Sequence, residues 1–290
     1  MNYSLITTVP DWMRSPTLSK RIAVVHAGPI GLSTAMLLAR RHEVVLQDTR
    51  SDWVDRINAA ELPPTLNEPG LQEQLSQHCN SLRATHFLHQ AVEGADYIIV
   101  TTPTRFDKVF GSVDTTALDG VLHEVQFINP FATLVIASNP PVGYTQRRDD
   151  AVGLATSMIV MPTLLRPGRV FLDRWHPDRL VIGECSQRAV HLATMMRDCF
   201  LRPAVPYILT HATEAEAIFL FEQKRRLQKG FLSYAEVARY ATRHGLDLGQ
   251  LIEGLALDGL PELGHVNTPE RLPWMQTVPY HPGDTPAARP

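Results

Sequence analysis

The sequence has little that would cross-link it or draw it to a charged or lipid surface. Its three cysteines, Cys79, Cys185 and Cys199, lie far apart in 290 residues and form no CxxC pair. This excludes a disulfide framework or a thiolate zinc centre as the organising element and suits a reducing cytoplasm. Neither sign of charge dominates: 27 basic against 30 acidic residues leave a formal net charge of -3. No global field therefore attracts nucleic acid or an acidic membrane. No apolar run approaches the roughly 20 residues that span a bilayer. The polar opening stretch, broken by Pro10 and Pro16, lacks the basic-then-apolar order of a signal peptide. These absences predict a cytoplasmic protein with no nucleic-acid partner and no membrane insertion. GxSxG and P-loop motifs are missing too. His86 and His89 have helical-neighbour spacing but no further ligands that the sequence can place, so they read as surface histidines and no metal is expected.

What is present is globular material, 44% hydrophobic and 20% charged, enough for one large domain or two modest ones. Arg21 to Val25 is a β-branched run followed by a glycine-containing turn, an apolar helical stretch from Leu32 to Arg40, and a second strand from Glu43 to Asp48. Strand, turn, helix and strand in under 30 residues make a βαβ unit, which favours a parallel sheet. Further apolar runs, 97–100, 133–137, 158–161, 179–183 and 205–209, read as strands covered on both faces. After Leu209 the pattern becomes helical. Thr213 with Glu216 has capping-box spacing, and a further helix is expected over about 247–257. From Pro261 onward seven of thirty residues are proline, so no further sheet can be built there.

The turn after the first strand reads His26-Ala27-Gly28-Pro29-Ile30-Gly31, a GxGxxG whose first glycine has become histidine. In the intact motif the first glycine allows the tight turn, the second lets a pyrophosphate approach the backbone, and the third permits close helix–strand packing. Asp48, about 20 residues on, stands where a carboxylate holds an adenosine ribose. Gly28 and Gly31 are also compatible with a purely packing role. With Thr102, which follows the apolar run 97–100, Gly28, Gly31 and Asp48 are the candidate cofactor-binding residues. His26 argues that NAD binds weakly or not at all.

In this setting the chain resembles the UDP-glucose/GDP-mannose dehydrogenase family, and within it the short bacterial UDP-glucose 6-dehydrogenases. The matching stretches include 31–34, 42–45, 82–85, 95–99, 102–104, 141–143, 179–183, 213–218 and 252–254. The resemblance implies a Rossmann-like NAD domain, then a long helix through which family members dimerise, then a nucleotide-sugar domain for which this sequence has no counterpart. It also implies a two-step oxidation of an alcohol to an acid, needing a thiolate, a lysine, an asparagine, carboxylates and ordered water.

The departures fall on those positions. The family's Gly-Gly-x-Cys-Leu-Pro-Lys-Asp segment is replaced by Gly264 to Pro269, and no cysteine follows Cys199. Phe219 stands for the lysine and Gln223 for the asparagine. Pro162 to Gly168 lacks both carboxylates, and Asn139 stands for a threonine associated with catalytic water. Lys224-Arg225-Arg226 reads as a solvated face rather than a substitute, and so does Lys229. No catalytic residue is therefore nominated.

The expected organisation is an N-terminal extension (1–20), a doubly wound, mainly parallel α/β domain (21–209), a helical dimerisation segment (210–260) and an irregular tail (261–290). The leading functional expectation is a non-catalytic binding, scaffold or regulatory relative of UDP-glucose dehydrogenase, connected with polysaccharide or nucleotide-sugar metabolism. The alternative is an NAD-dependent oxidoreductase with altered chemistry or a site completed by a partner chain. A homodimer, or a heterodimer with a related chain, is expected because Ile218, Leu220, Phe221 and Phe231 would otherwise lack cover.

Overall fold

The computed structural model describes residues 18–256 apart from positions 65, 67, 79, 108–111, 153–157, 167, 202–204 and 229–231. The tail, most of the N-terminal extension, Cys79, Lys229 and Phe231 lie outside the described residues. The first part of the chain runs β1 (Arg21–Val25), α1 (Pro29–Ala39), β2 (Glu43–Gln47), α2 (Ser51–Asn58), α3 (Leu71–His78), β3 (Leu82–Thr85), α4 (Leu88–Val92) and β4 (Tyr97–Val100). A hairpin of β5 (Arg105–Asp107) and β6 (Ser112–Asp114) precedes α5 (Thr116–Ile128), β7 (Thr133–Ile136), α6 (Tyr144–Val152) and β8 (Ile159–Val160). Then come α7 (Val170–Trp175), β9 (Leu180–Ile182), α8 (Gln187–Cys199), β10 (Tyr207–Leu209), α9 (Ala212–Gln228), α10 (Tyr234–His244) and α11 (Leu248–Ala256).

Six strands form one parallel sheet in the order β3-β2-β1-β4-β7-β8. Alternate residues of a strand face opposite ways, and β1 feeds both cores: Ile22 and Val24 pack with α1, while Ala23 and Val25 join Leu118 and Leu122 of α5. Burial on both faces explains the unbroken apolar runs. The chain proceeds outward from β1 to β2 and β3, then returns to place β4 on the other side of β1. This reversal opens a crevice at the carboxyl ends of β1 and β4, where ligands bind in open α/β sheets. The fold is the expected Rossmann-like arrangement, followed by a helical segment.

Beyond β8 the strands β9 and β10 form a separate parallel pair, tied to β8 through a bridge between Val160 and Gly183. Val181 and Ile208 share a third core with α9, α10 and α11.

Three local expectations are corrected here. Thr213 is not the cap of α9: the His211 carbonyl accepts from the Ala215 amide, so the helix starts two residues earlier, at Ala212. Glu216 reaches across to α6 instead, accepting from the Gly143 and Thr145 amides and the Thr145 hydroxyl. Ile218 and Phe221 do not lack cover: Gly254 of α11 leaves room for Ile218, and Tyr240 of α10 meets Phe221 edge-on at 5.2 Å between ring centres. Only Leu220 of that set is exposed among the described residues. Finally, Lys224-Arg225-Arg226 is no solvated face. Lys224 pairs with Glu236, Arg225 with Glu222 at 2.6 Å, and Arg226 donates to the Leu165 and Leu164 carbonyls at 2.7 and 3.0 Å.

Candidate functional site

The crevice is built around the turn between β1 and α1. His26 has φ +81°, the left-handed region in which a glycine is at ease and an L side chain costs about 1–2 kcal/mol. Main-chain bonds hold it there. Its amide donates to the Gln47 carbonyl at 2.8 Å, and its carbonyl accepts from the Thr101 hydroxyl at 2.9 Å. Beneath that carbonyl sits Gly31, where a Cβ would come within 1.8 Å of the His26 oxygen. The third glycine of the motif is therefore required by packing. Gly28 begins α1 as its N-cap and lies under the His26 ring, so that a Cβ there would meet Nε2 at 3.0 Å. The imidazole thus covers the glycine whose bare backbone receives a pyrophosphate in the intact motif.

Asp48 follows β2 and is 1% exposed. Its Oδ1 accepts from the Arg50 amide (3.0 Å) and Nε (2.8 Å), and its Oδ2 from the Ala27 amide (2.7 Å) and Arg50 Nη2 (2.8 Å). His26 Nδ1 stands 3.5 Å from Oδ2. A carboxylate offers about four acceptor positions, and here all are occupied by the chain itself. Burial pushes the Asp48 carboxyl up, but the bonds from the Arg50 side chain and from the Arg50 and Ala27 amides outweigh it and hold the group below the usual range. Burial likewise lowers His26, against the pull of Asp48, and Arg50 lowers it further, so its imidazole is neutral at pH 7. Arg50 is fixed from its other side by the Trp53 ring, 3.3 Å from guanidinium carbon to ring centre.

Thr102 lies just past β4 with its carbonyl accepting from the Ser138 hydroxyl at 2.7 Å. Its own hydroxyl is buried without a partner. The four nominated residues therefore meet at one crevice in different states. Thr102 retains bonding capacity, Gly31 is packed, Gly28 is covered and Asp48 is filled. As arranged, the His26 ring lies against Gly28 and the Arg50 side chain binds Asp48, the two residues that in the intact motif serve a pyrophosphate and a ribose. Sequence reasoning overlooked Arg50, although its place two residues beyond Asp48 at a strand end was a readable signal.

The neighbouring loop shows how the changed positions are used. Asn139 Oδ1 accepts from the Thr163 hydroxyl at 2.9 Å and its amide at 3.3 Å, while the Asn139 carbonyl accepts from Thr104. Both residues at the altered family positions are thus committed to one another. Phe219 is half-buried and Gln223 exposed on α9. Of the described thiols, Cys199 is buried and pushed up to about 12 by burial and by Asp198, and burial also raises Cys185. A thiol shifted this way is protonated and a poor nucleophile at neutral pH. Among the described residues no cluster of three or more His, Cys, Asp or Glu side chains could hold a metal ion. No helix among them is long and apolar enough to cross a membrane.

Residues 20–200 match the model of the UDP-glucose/GDP-mannose dehydrogenase family, NAD binding domain. The chain belongs to this family. It is 27% identical over 241 residues to the UDP-glucose 6-dehydrogenase of Campylobacter jejuni, covering 82% of this chain and 60% of that protein. Over 256 residues it is 27% identical to the UDP-glucose 6-dehydrogenase of Streptococcus pneumoniae, covering 86% and 64% respectively. The chain therefore spans under two thirds of the length of these relatives. Among solved structures, a UDP-D-ManNAc dehydrogenase from Pyrococcus horikoshii aligns with a TM-score of 0.61 and 26% identity over 80% of this chain and 56% of that one. A GDP-mannose dehydrogenase from Pseudomonas aeruginosa has TM-score 0.64 and 24% identity, a likeness of fold.

Proposed function

We propose that this family member is a non-catalytic relative of the UDP-glucose dehydrogenases, acting as a binding, scaffold or regulatory partner in nucleotide-sugar or polysaccharide metabolism. The observation that carries the reading is the closed Asn139–Thr163 pair, which uses up two positions where the resemblance calls for a threonine and a carboxylate. Phe219 in place of the lysine and the high-pKa thiol of Cys199 support it. NAD binds weakly in this reading, because the His26 ring covers Gly28 and Arg50 fills Asp48. Pairing with a copy of itself or with a related chain belongs to the same reading, its remaining support being the exposed Leu220 of α9.

The test is direct. Purified protein with NAD and UDP-glucose is expected to give no reduced cofactor above a heat-killed control, and Phe219→Lys alone is expected to restore none. Turnover by the unaltered protein would overturn the reading. A second reading, an NAD-dependent oxidoreductase with altered chemistry or a site completed by a partner, draws on the unpartnered Thr102 hydroxyl in the crevice. It predicts turnover only when the related chain is added.

A further inference from the structure

The adenosine end of the crevice carries a charge for which the intact motif has no use. After β2 the chain reads Asp48-Thr49-Arg50-Ser51, and Arg50 is the N-cap of α2. A site of this type offers a free carboxylate to the ribose 2′-hydroxyl. Here the carboxylate stands behind a guanidinium: the Asp48 side chain is 1% exposed and that of Arg50 is 37% exposed.

The guanidinium is only partly used. Of its five N–H donors, Nε donates to Asp48 Oδ1 and Nη2 to Oδ2, each at 2.8 Å. Nη1 has no hydrogen-bond partner among the described residues and is not among their buried polar atoms, so it is open to solvent. The Trp53 ring against the guanidinium fixes its plane, so a ligand meets a fork that is already oriented. Three other titratable groups act here. Asp48 has its charge met by four donors from the chain, and His26 is neutral at pH 7. Asp52, in the first turn of α2, is exposed and acts on Arg50 through solvent, where salt screens it.

We infer that Arg50 sets the nucleotide preference of this crevice, turning it from an adenosine with a free 2′-hydroxyl toward one that carries a 2′-phosphate. A 2′-hydroxyl donates a proton to an acceptor, and Asp48 has no acceptor position left to offer. A 2′-phosphate is itself an acceptor of high charge, and planar guanidinium forks match its oxygens. The ligand class is therefore a 2′-phosphorylated adenine nucleotide, with NADP as its dinucleotide form. This deepens the reading above, from which it takes the weak binding of NAD, and it is independent of turnover.

The experiment uses the full chain in calorimetry with 5′-AMP, adenosine 2′,5′-bisphosphate, adenosine 3′,5′-bisphosphate, NAD and NADP at constant ionic strength. The 2′,5′-bisphosphate is expected to bind at least tenfold more tightly than 5′-AMP, and NADP at least tenfold more tightly than NAD. The 3′,5′ isomer has the same charge with its phosphate misplaced, and is expected to bind at least threefold more weakly than the 2′,5′ isomer. Arg50→Gln removes the fork and frees Asp48. It is expected to weaken the 2′,5′-bisphosphate tenfold or more while strengthening NAD, a divergence that loss of structure would not produce. If that variant fails to fold, Arg50→Lys, which keeps the charge but loses the fork, should lower the NADP-to-NAD preference at least threefold. His26→Gly uncovers Gly28 and is expected to strengthen NAD and NADP alike, leaving their ratio within twofold. Tight binding of NAD by the parent, with NADP tighter still, would overturn the reading of weak NAD binding and leave this inference standing. Equal binding of the two isomers, NAD bound as well as NADP, no binding of either bisphosphate, or a preference unchanged in the Arg50 variants would each overturn the inference itself.

Discussion

Two charged regions of this molecule have opposite solutions to the same problem. At the turn after β1, the Asp48 carboxylate is fully surrounded by donors from its own chain, including the guanidinium of Arg50 two residues away. Behind α7, the Arg174 guanidinium is nearly as buried and has two nitrogens without any acceptor. A buried charge surrounded by its own chain stabilises a local structure and has little left for a ligand. One without a counter-charge destabilises the fold. The contrast separates a carboxylate that its own chain satisfies from a guanidinium that it does not.

The largest expected effect comes from breaking a buried pair that is matched. Arg179 and Glu222 are each 1% exposed, and Glu222 also binds Arg225. Glu222→Gln takes the carboxylate from both guanidiniums. It is expected to cost about 3–5 kcal/mol, read by urea unfolding. A cost below about 1 kcal/mol would mean that the pair behaves as a solvated one and would weaken the contrast.

Next in size is Gly31→Ala at the closed turn. The added Cβ would fall 1.8 Å from the His26 carbonyl and 2.7 Å from the Thr101 hydroxyl. Backbone must shift, so a loss of about 3 kcal/mol is expected, or a Tm drop of roughly 6–12 °C for a domain this size. An unchanged Tm would show that the turn is loose.

The smallest effects sharpen the role of His26. Its folded pKa is lowered by burial, so its contribution to stability is complete above the unfolded value near 6.5 and is lost as pH falls through the folded value. Buried His42, lowered for the same cause, acts in the same direction. Unfolding followed from pH 7.5 to 5 should show declining stability, with a shallower decline in His26→Gly. That variant also relieves the positive φ and uncovers Gly28, so it should change stability at pH 7 by less than about 1 kcal/mol and strengthen NAD binding. Weaker binding of a co-purified nucleotide in His26→Gly would instead make the imidazole a ligand contact.

Much of the fold was legible because burial on both faces writes a strand as an unbroken apolar run, as in 21–25, 97–100 and 133–136. The β5–β6 hairpin was not legible, since 105–107 and 112–114 are short and carry polar residues with no period to read. At the candidate site, the glycine spacing and Asp48 pointed to residues that the fold brings together beside the carboxyl end of β1. Spacing could not say whether the carboxylate was free, because Arg50 competes for it through a side-chain conformation. The run 224–226 misled for a related reason: its charges were assigned to solvent, whereas packing α9 against the loop after β8 turned two of them inward.

The amino-acid order alone determined the parallel sheet and the turn with its two surviving glycines, since these depend on apolar period and on residue type at a given place. Tertiary structure alone decided which charges are matched. Arg174 and Arg226 lie 52 residues apart in the sequence and share a cavity only because α7 and α9 flank it. Whether a carboxylate reaches a guanidinium is fixed by distances across such packed elements, and no local pattern encodes them.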